Sequence, residues 1–289
     1  MNKQAGFSLV EIMIALLIGL FLLGGILQMF SANQQTYRMQ SSLARLQENG
    51  RIALDFLARD IRIAGYWGCL SGLNSVPSIT DIDGTDNNAV AGDGIDDGTD
   101  TIKLKGVFDL FVLVPPLDCE KPASTPGSCC KTDPSLTANI CPNLVNCYRY
   151  TNSTLTYKIN ASVLQQDTGE VGDPTQVGDP NRMYNGMIEG IQDMQILYGE
   201  DTDMNMDCSK GTSDYAPNYY VTANSVVKMC RVVSIRISLL AVTLDDNLTP
   251  QPIPYTYYVN NVLTNNIIPA DRKIRRVFNT TIALRNHLP

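Results

Sequence analysis

From Phe7 to Phe30 almost every side chain is apolar, a run long enough as an α-helix to cross the roughly 30 Å hydrocarbon core of a bilayer. One ionisable residue interrupts it, Glu11. A carboxylate in such a place costs about 2.5–3.5 kcal/mol even on the lenient insertion scale, so it needs a partner. Ahead of the run lies a short leader, Met1 to Ala5, with a single cation in Lys3. A secretory signal would end in a small-residue cleavage site, and the run continues instead into Gly24-Gly25-Ile26-Leu27-Gln28. A plain anchor accounts for the length but not for Glu11. A cut between Gly6 and Phe7 accounts for both. Phe7 then carries an α-ammonium one helical turn from Glu11, and the carboxylate meets that charge in its own chain or a neighbour's.

Gly6-Phe7-Ser8-Leu9-Val10-Glu11 before an apolar helix resembles the class III leader of type IV pilins and type II secretion pseudopilins. The resemblance implies cleavage between Gly6 and Phe7 by the prepilin peptidase and N-methylation of Phe7. It also implies that Glu11 pairs with the Phe7 amine of an adjacent subunit during assembly.

Beyond Phe30 the helical pattern resumes after a polar stretch, with Leu43, Leu46, Gly50, Ala53, Leu54, Leu57, Ile61 and Ala64 at spacings of three and four. No proline intervenes between Phe7 and Tyr66, so one helix is expected to Ala64, with Gly65 as its stop. Gly19 and Gly24-Gly25 either let the apolar half stretch on assembly or permit close helix packing. The chain thus divides into a leader (1–6), a transmembrane or filament-core helix (7–30), the amphipathic half of that helix (31–65), and a globular head (66–289). Trp67, the single tryptophan, is expected to anchor the helix end in the head.

The head reads as β-rich. Residues 101–105 and 154–160 alternate, 111–114 form an apolar run, and 226–242, 255–259 and 274–284 are rich in β-branched and aromatic residues. Residues 187–198 fit a helix or a strand equally. Residues 81–100, with seven aspartates and no Lys or Arg, read as a flexible acidic loop. The linkers are too short for crossover helices, so the expected fold is α+β, a long N-terminal helix packed on a mainly antiparallel head. The eight cysteines, Cys69, Cys119, Cys129, Cys130, Cys141, Cys147, Cys208 and Cys230, include no C-x-x-C pair and read as disulfides of an exported head. Five of them staple a Pro-rich insertion (119–147), and Cys208 with Cys230 is the favoured pair.

Several stretches, among them Gly65-Tyr66-Trp67-Gly68-Cys69, 190–199, 232–240 and 276–286, are similar to the PilW minor pilins, relatives of the GspJ pseudopilins. That resemblance implies a type IV pilin-like fold and a part in the initiation or tip complex of a pilus serving adhesion and twitching motility. Its implied partners are other minor pilins, the major pilin, a tip adhesin, the prepilin peptidase and the inner-membrane assembly platform. It places the protein in the inner membrane with a periplasmic head, then on the surface pilus at or near the tip. A GspJ-like pseudopilin and a membrane-tethered adhesive or ligand-binding module are the alternatives, the latter with its function in the cysteine-rich insertion.

The net charge of −7 and the absence of a basic run argue against nucleic-acid binding by this subunit alone. No cofactor is required. One metal candidate stands out: Asp201, Asp203, Asn205 and Asp207 place oxygens at alternate positions, as at the start of an EF-hand calcium loop. Met206 and Thr212 stand where that loop needs Gly and Glu, so a solvated acidic loop competes with calcium. Residues 93–100 offer a weaker candidate. The sole histidine, His287, and the absence of nucleophile-elbow, zincin or P-loop motifs leave no catalytic constellation, and no enzyme is expected.

Overall fold

The structure, a computed structural model, describes residues 8–65, 82–86, 98–106, 153–170, 185–205, 211–259 and 262–287. Gly6, Phe7, Trp67, Asp207, the run 111–114 and every cysteine except Cys230 lie outside these residues.

Helix α1 (Leu9–Ile63) runs 55 residues, about 80 Å at 1.5 Å per residue. Its two halves differ completely in burial. Residues 8–38 are all exposed, whereas Leu46, Gly50, Ala53, Leu57 and Ile61 form a buried stripe along one face. The helix ends as Ala64 turns to an extended conformation and Gly65 adopts φ +77°. The Gly65 N–H then donates to the Lys105 carbonyl at 3.0 Å, which hands the helix end to the first sheet.

That sheet is a five-stranded antiparallel meander of β1 (Ile82–Thr85), β2 (Thr101–Gly106), β3 (Ser153–Asn160), β4 (Val163–Glu170) and β5 (Asn185–Glu189), in sequence order. The acidic stretch 81–100 is therefore not a flexible loop at its ends. Residues 82–85 pair with β2, and Asp100 is buried because its carboxylate accepts the Ile196 N–H at 2.6 Å. A carboxylate that caps a buried backbone donor belongs to the core rather than to solvent.

The second sheet orders β11 (Arg275–Ala283), β8 (Val232–Val242), β6 (Ile191–Glu200) and β7 (Tyr219–Val221), again antiparallel. A hairpin of β9 (Tyr255–Val259) and β10 (Val262–Ile267) stands beside it. The helix–strand ambiguity over 187–198 resolves at Gly190. There φ is +77°, and a Cβ would lie 2.7 Å from the Val242 carbonyl oxygen. One apolar run thus divides into two strands that serve different sheets. Of the run 226–242, only 232–242 is strand; a short 3-10 turn at Met229–Arg231 precedes it.

Between the sheets and the lower half of α1 lies one core. It joins Leu57 and Ile61 to Leu104, Tyr157, Met194 and Ile237, all at most 1% exposed.

Candidate assembly helix and acidic loop

Glu11 sits in the first turn of α1, where the Glu11 and Ile12 N–H groups both reach back to the Ser8 carbonyl at 3.0 and 3.3 Å. The helix dipole favours a carboxylate in that turn. Below it, Ile12, Ala15, Leu16, Gly19 and Leu20 shape a shallow apolar groove that begins at Glu11. Side chains such as Leu9 and Phe21 stand 73% and 83% exposed. The most apolar 18-residue window has mean hydropathy 2.6 with none of it buried. An exposed apolar surface of this extent marks a membrane or protein contact. A Cβ on Gly19, Gly24 or Gly25 meets no atom within 4 Å, so none of the three is required by contacts within this chain.

The lower half of the helix is fastened by polar contacts as well as by packing. Asp60 is buried and accepts a hydrogen bond from the Tyr157 hydroxyl on β3, and Gln166 on β4 donates to that hydroxyl at 2.9 Å. Burial first, and the Asp60 carboxylate second, hold the Tyr157 phenol well above its ordinary pKa, so it remains a donor. Higher on the helix, Ser42 donates to Asp245 at 2.7 Å and Asn49 to the Glu189 carbonyl at 2.9 Å. At the helix end the Asn286 amide bonds the Arg62, Ile63 and Ala64 carbonyls at 3.0–3.3 Å. These are groups a helix C-terminus leaves unsatisfied.

In the acidic loop the structure brings Asp201 and Asp203 together with Asp214, each offering an oxygen within 4.8 Å of the others. Asn205 follows on the same loop. Asp214 was invisible to linear spacing because it returns from beyond the turn at Gly211. Asp201 is fully buried and already engaged: one carboxylate oxygen accepts from Ser213, the other from the Asp203 N–H at 2.8 Å. Asp203 and Asp214 accept from Asn218 at 3.4 Å and from the Ala216 N–H at 2.9 Å. Three carboxylates suit a hard cation such as calcium, yet the protein's own donors satisfy much of this set. The cluster could hold a metal and is not evidence for one. Beside it Arg231 faces the buried Glu200 at 3.8 Å, and Cys230 forms a disulfide.

Against known families, residues 1–27 match the prokaryotic N-terminal methylation motif, and residues 164–286 match the Type IV Pilus-assembly protein W family, PilW. Over residues 164–286 the chain is similar to the PilW family of type IV pilus proteins. The PilW match takes in β5, β8 and β11, strands against which α1 packs, and the methylation match takes in Glu11 and most of the exposed half of the helix. Among solved structures the chain is similar to "Type IV-like pilin TTHA1219 from Thermus thermophilus", at 11% identity and a TM-score of 0.39, over 84% of this chain and 98% of that one. No curated protein matches the chain in sequence. The two matches fall on a long N-terminal helix packed on antiparallel sheets, the methylation motif on the helix and the PilW match on the strands. The apolar N-terminal helix of this chain and its methylation motif fit membrane anchoring and incorporation into a pilus.

Proposed function

We propose that this chain is a minor pilin whose work is assembly rather than turnover. Prepilin peptidase cuts between Gly6 and Phe7, Phe7 is N-methylated, and the head stays in the periplasm until α1 is drawn from the inner membrane into the filament. There Glu11 pairs with the Phe7 ammonium of a neighbouring subunit. The protein acts in the initiation or tip complex with other minor pilins, the major pilin and a tip adhesin, on the inner-membrane assembly platform.

One observation carries this reading: the first half of α1 is bare, apolar and uncovered by its own head, with a lone carboxylate in its first turn. A single charge in an otherwise apolar contact specifies register when its partner charge is supplied by the neighbour. Replacement Glu11→Ala is expected to leave cleavage intact and to reduce pilus number on the cell surface. Normal piliation in that variant would sink the pairing. Replacement Gly6→Val should leave a precursor about six residues heavier, seen by mass spectrometry.

A further inference from the structure

The outer face of the second sheet, turned away from α1, carries a half-open cavity of about 340 Å³. This lies at the lower end of the range of small-ligand sites. Its floor is the cross-strand pair Gln195 and Ser238, with Leu197 beside them. One wall is Tyr220. Gly199, opposite it on β6, makes room for that ring, because a Cβ there would come within 2.9 Å of Tyr220 and of Pro217. The Arg236 guanidinium lies over the same ring at 4.0 Å. The other wall is Tyr258 on β9. Its neighbour Tyr257 is pinned by a 2.7 Å hydrogen bond from its hydroxyl to the Ser238 carbonyl, and the two rings meet edge to face at 5.8 Å. The Tyr220 ring is thus held before any ligand arrives and Tyr258 rests against a pinned neighbour, which lowers the entropic cost of binding.

The polar groups narrow the ligand. Ser238 is 5% exposed, yet its hydroxyl has no hydrogen-bond partner among the described residues, although it faces a cavity that admits one. Gln195, 6% exposed, donates its amide hydrogens to the Gly98 carbonyl at 2.8 Å and to Asp193 at 3.1 Å. Its own carbonyl oxygen is left to accept. Thr222 and Ser225 add hydroxyls at the rim. Among the described residues, no side chain lining the cavity is charged at neutral pH, so a charged ligand would lose hydration without compensation from them. A neutral ring with hydroxyls at its edge and C–H groups on its faces matches aromatic walls and a floor of single donors and acceptors. We infer that this cavity is a subsite for an uncharged pyranose sugar, held between Tyr220 and Tyr258 and hydrogen-bonded to Ser238 and Gln195. The site is separate from the assembly helix and from the acidic loop.

The full chain in a zwitterionic detergent lacking a sugar headgroup can be tested by saturation-transfer NMR with galactose, glucose and N-acetylglucosamine. Transfer to the ring C–H protons of at least one sugar is expected. Replacement Tyr258→Ala should weaken it roughly tenfold, the loss of one stacking wall, while Tyr258→Phe retains most of it. Thr222→Arg, which plugs the mouth from a partly exposed position and leaves the core untouched, should abolish it. Leu244→Ser, at an exposed position beyond the end of β8 and away from the cavity, should change nothing. Absence of transfer from all three sugars would overturn the inference, as would transfer unaltered by Thr222→Arg. Displacement of the sugar by an end-capped serine–threonine hexapeptide that binds more tightly would overturn it in favour of a peptide groove.

Discussion

Two buried tyrosines in the head carry opposite consequences for the same substitution. The Tyr157 hydroxyl completes the shell of a buried carboxylate, Asp60. The Tyr198 hydroxyl is buried with no hydrogen-bond partner among the described residues, wedged where a Cβ on Gly84 would collide with it. Replacement Tyr157→Phe strips a donor from a charge held out of water and should cost about 1–3 kcal/mol. Tyr198→Phe removes an unsatisfied polar atom and should leave stability unchanged or raised. Urea denaturation of the two variants separates the outcomes, and equal losses would contradict the assignment. Gly50 poses another contest at this scale. Alanine favours a helix over glycine by about 1 kcal/mol, but a Cβ at Gly50 would run into the Phe278 ring on β11. Overpacking typically costs about 1–3 kcal/mol, so Gly50→Ala should destabilise. The penalty should shrink in a Phe278→Leu background, a coupling that a double-mutant cycle measures.

Among the elements, those with strong periodicity were legible in the sequence: α1, with its stripe of Leu46, Leu57 and Ile61, and β8, β9 and β11, with their β-branched and aromatic runs. The strands that sequence reasoning missed have identifiable reasons. Strand β4 is polar, and it is recruited by a two-residue turn in which Ala161 and Ser162 take φ +51° and +58°. Such turns usually advertise themselves with Asn-Gly, and here they do not. Strand β1 is short and acidic, and it gains its place only by pairing with β2. The break between β5 and β6 rests on Gly190 alone. The Gly190→Ala variant must hold a positive φ against the Val242 carbonyl, so a loss of roughly 1–3 kcal/mol is expected, read as a lowered urea midpoint. For the candidate sites the pattern is similar. Glu11 was legible because its surroundings are uniformly apolar, whereas Asp214 and the Tyr220–Tyr258 cavity arise from chain segments that only the fold brings together.

At the scale of the whole molecule, three buried phenols among the described residues shape the response to alkali. Tyr157, Tyr198 and Tyr257 all have pKa values raised, chiefly by burial. In the unfolded chain they ionise near pH 10. Below that pH both states keep their protons and stability is level. Above it the unfolded state alone releases them, so stability falls, each tyrosine contributing up to roughly 1.4 kcal/mol per pH unit. Urea midpoints at successive pH values should decline beyond pH 10, and Tyr198→Phe should make that slope shallower. A slope identical to that of the unmodified chain would refute the contribution.

The clasp between Asn286 and the carbonyls of Arg62, Ile63 and Ala64 spans more than 220 residues of chain, and β11 packs on the same helix. At ribosomal speeds of about 5–20 residues per second, the strand and clasp emerge some 10–45 s after the surface they cover. Throughout that interval the face of α1 around Gly50 and the helix end lack the cover that β11 and the clasp supply. The order of synthesis therefore runs against the order of docking: the first element made is the last to be seated, and nascent α1 needs a holdase or the membrane itself as its temporary neighbour.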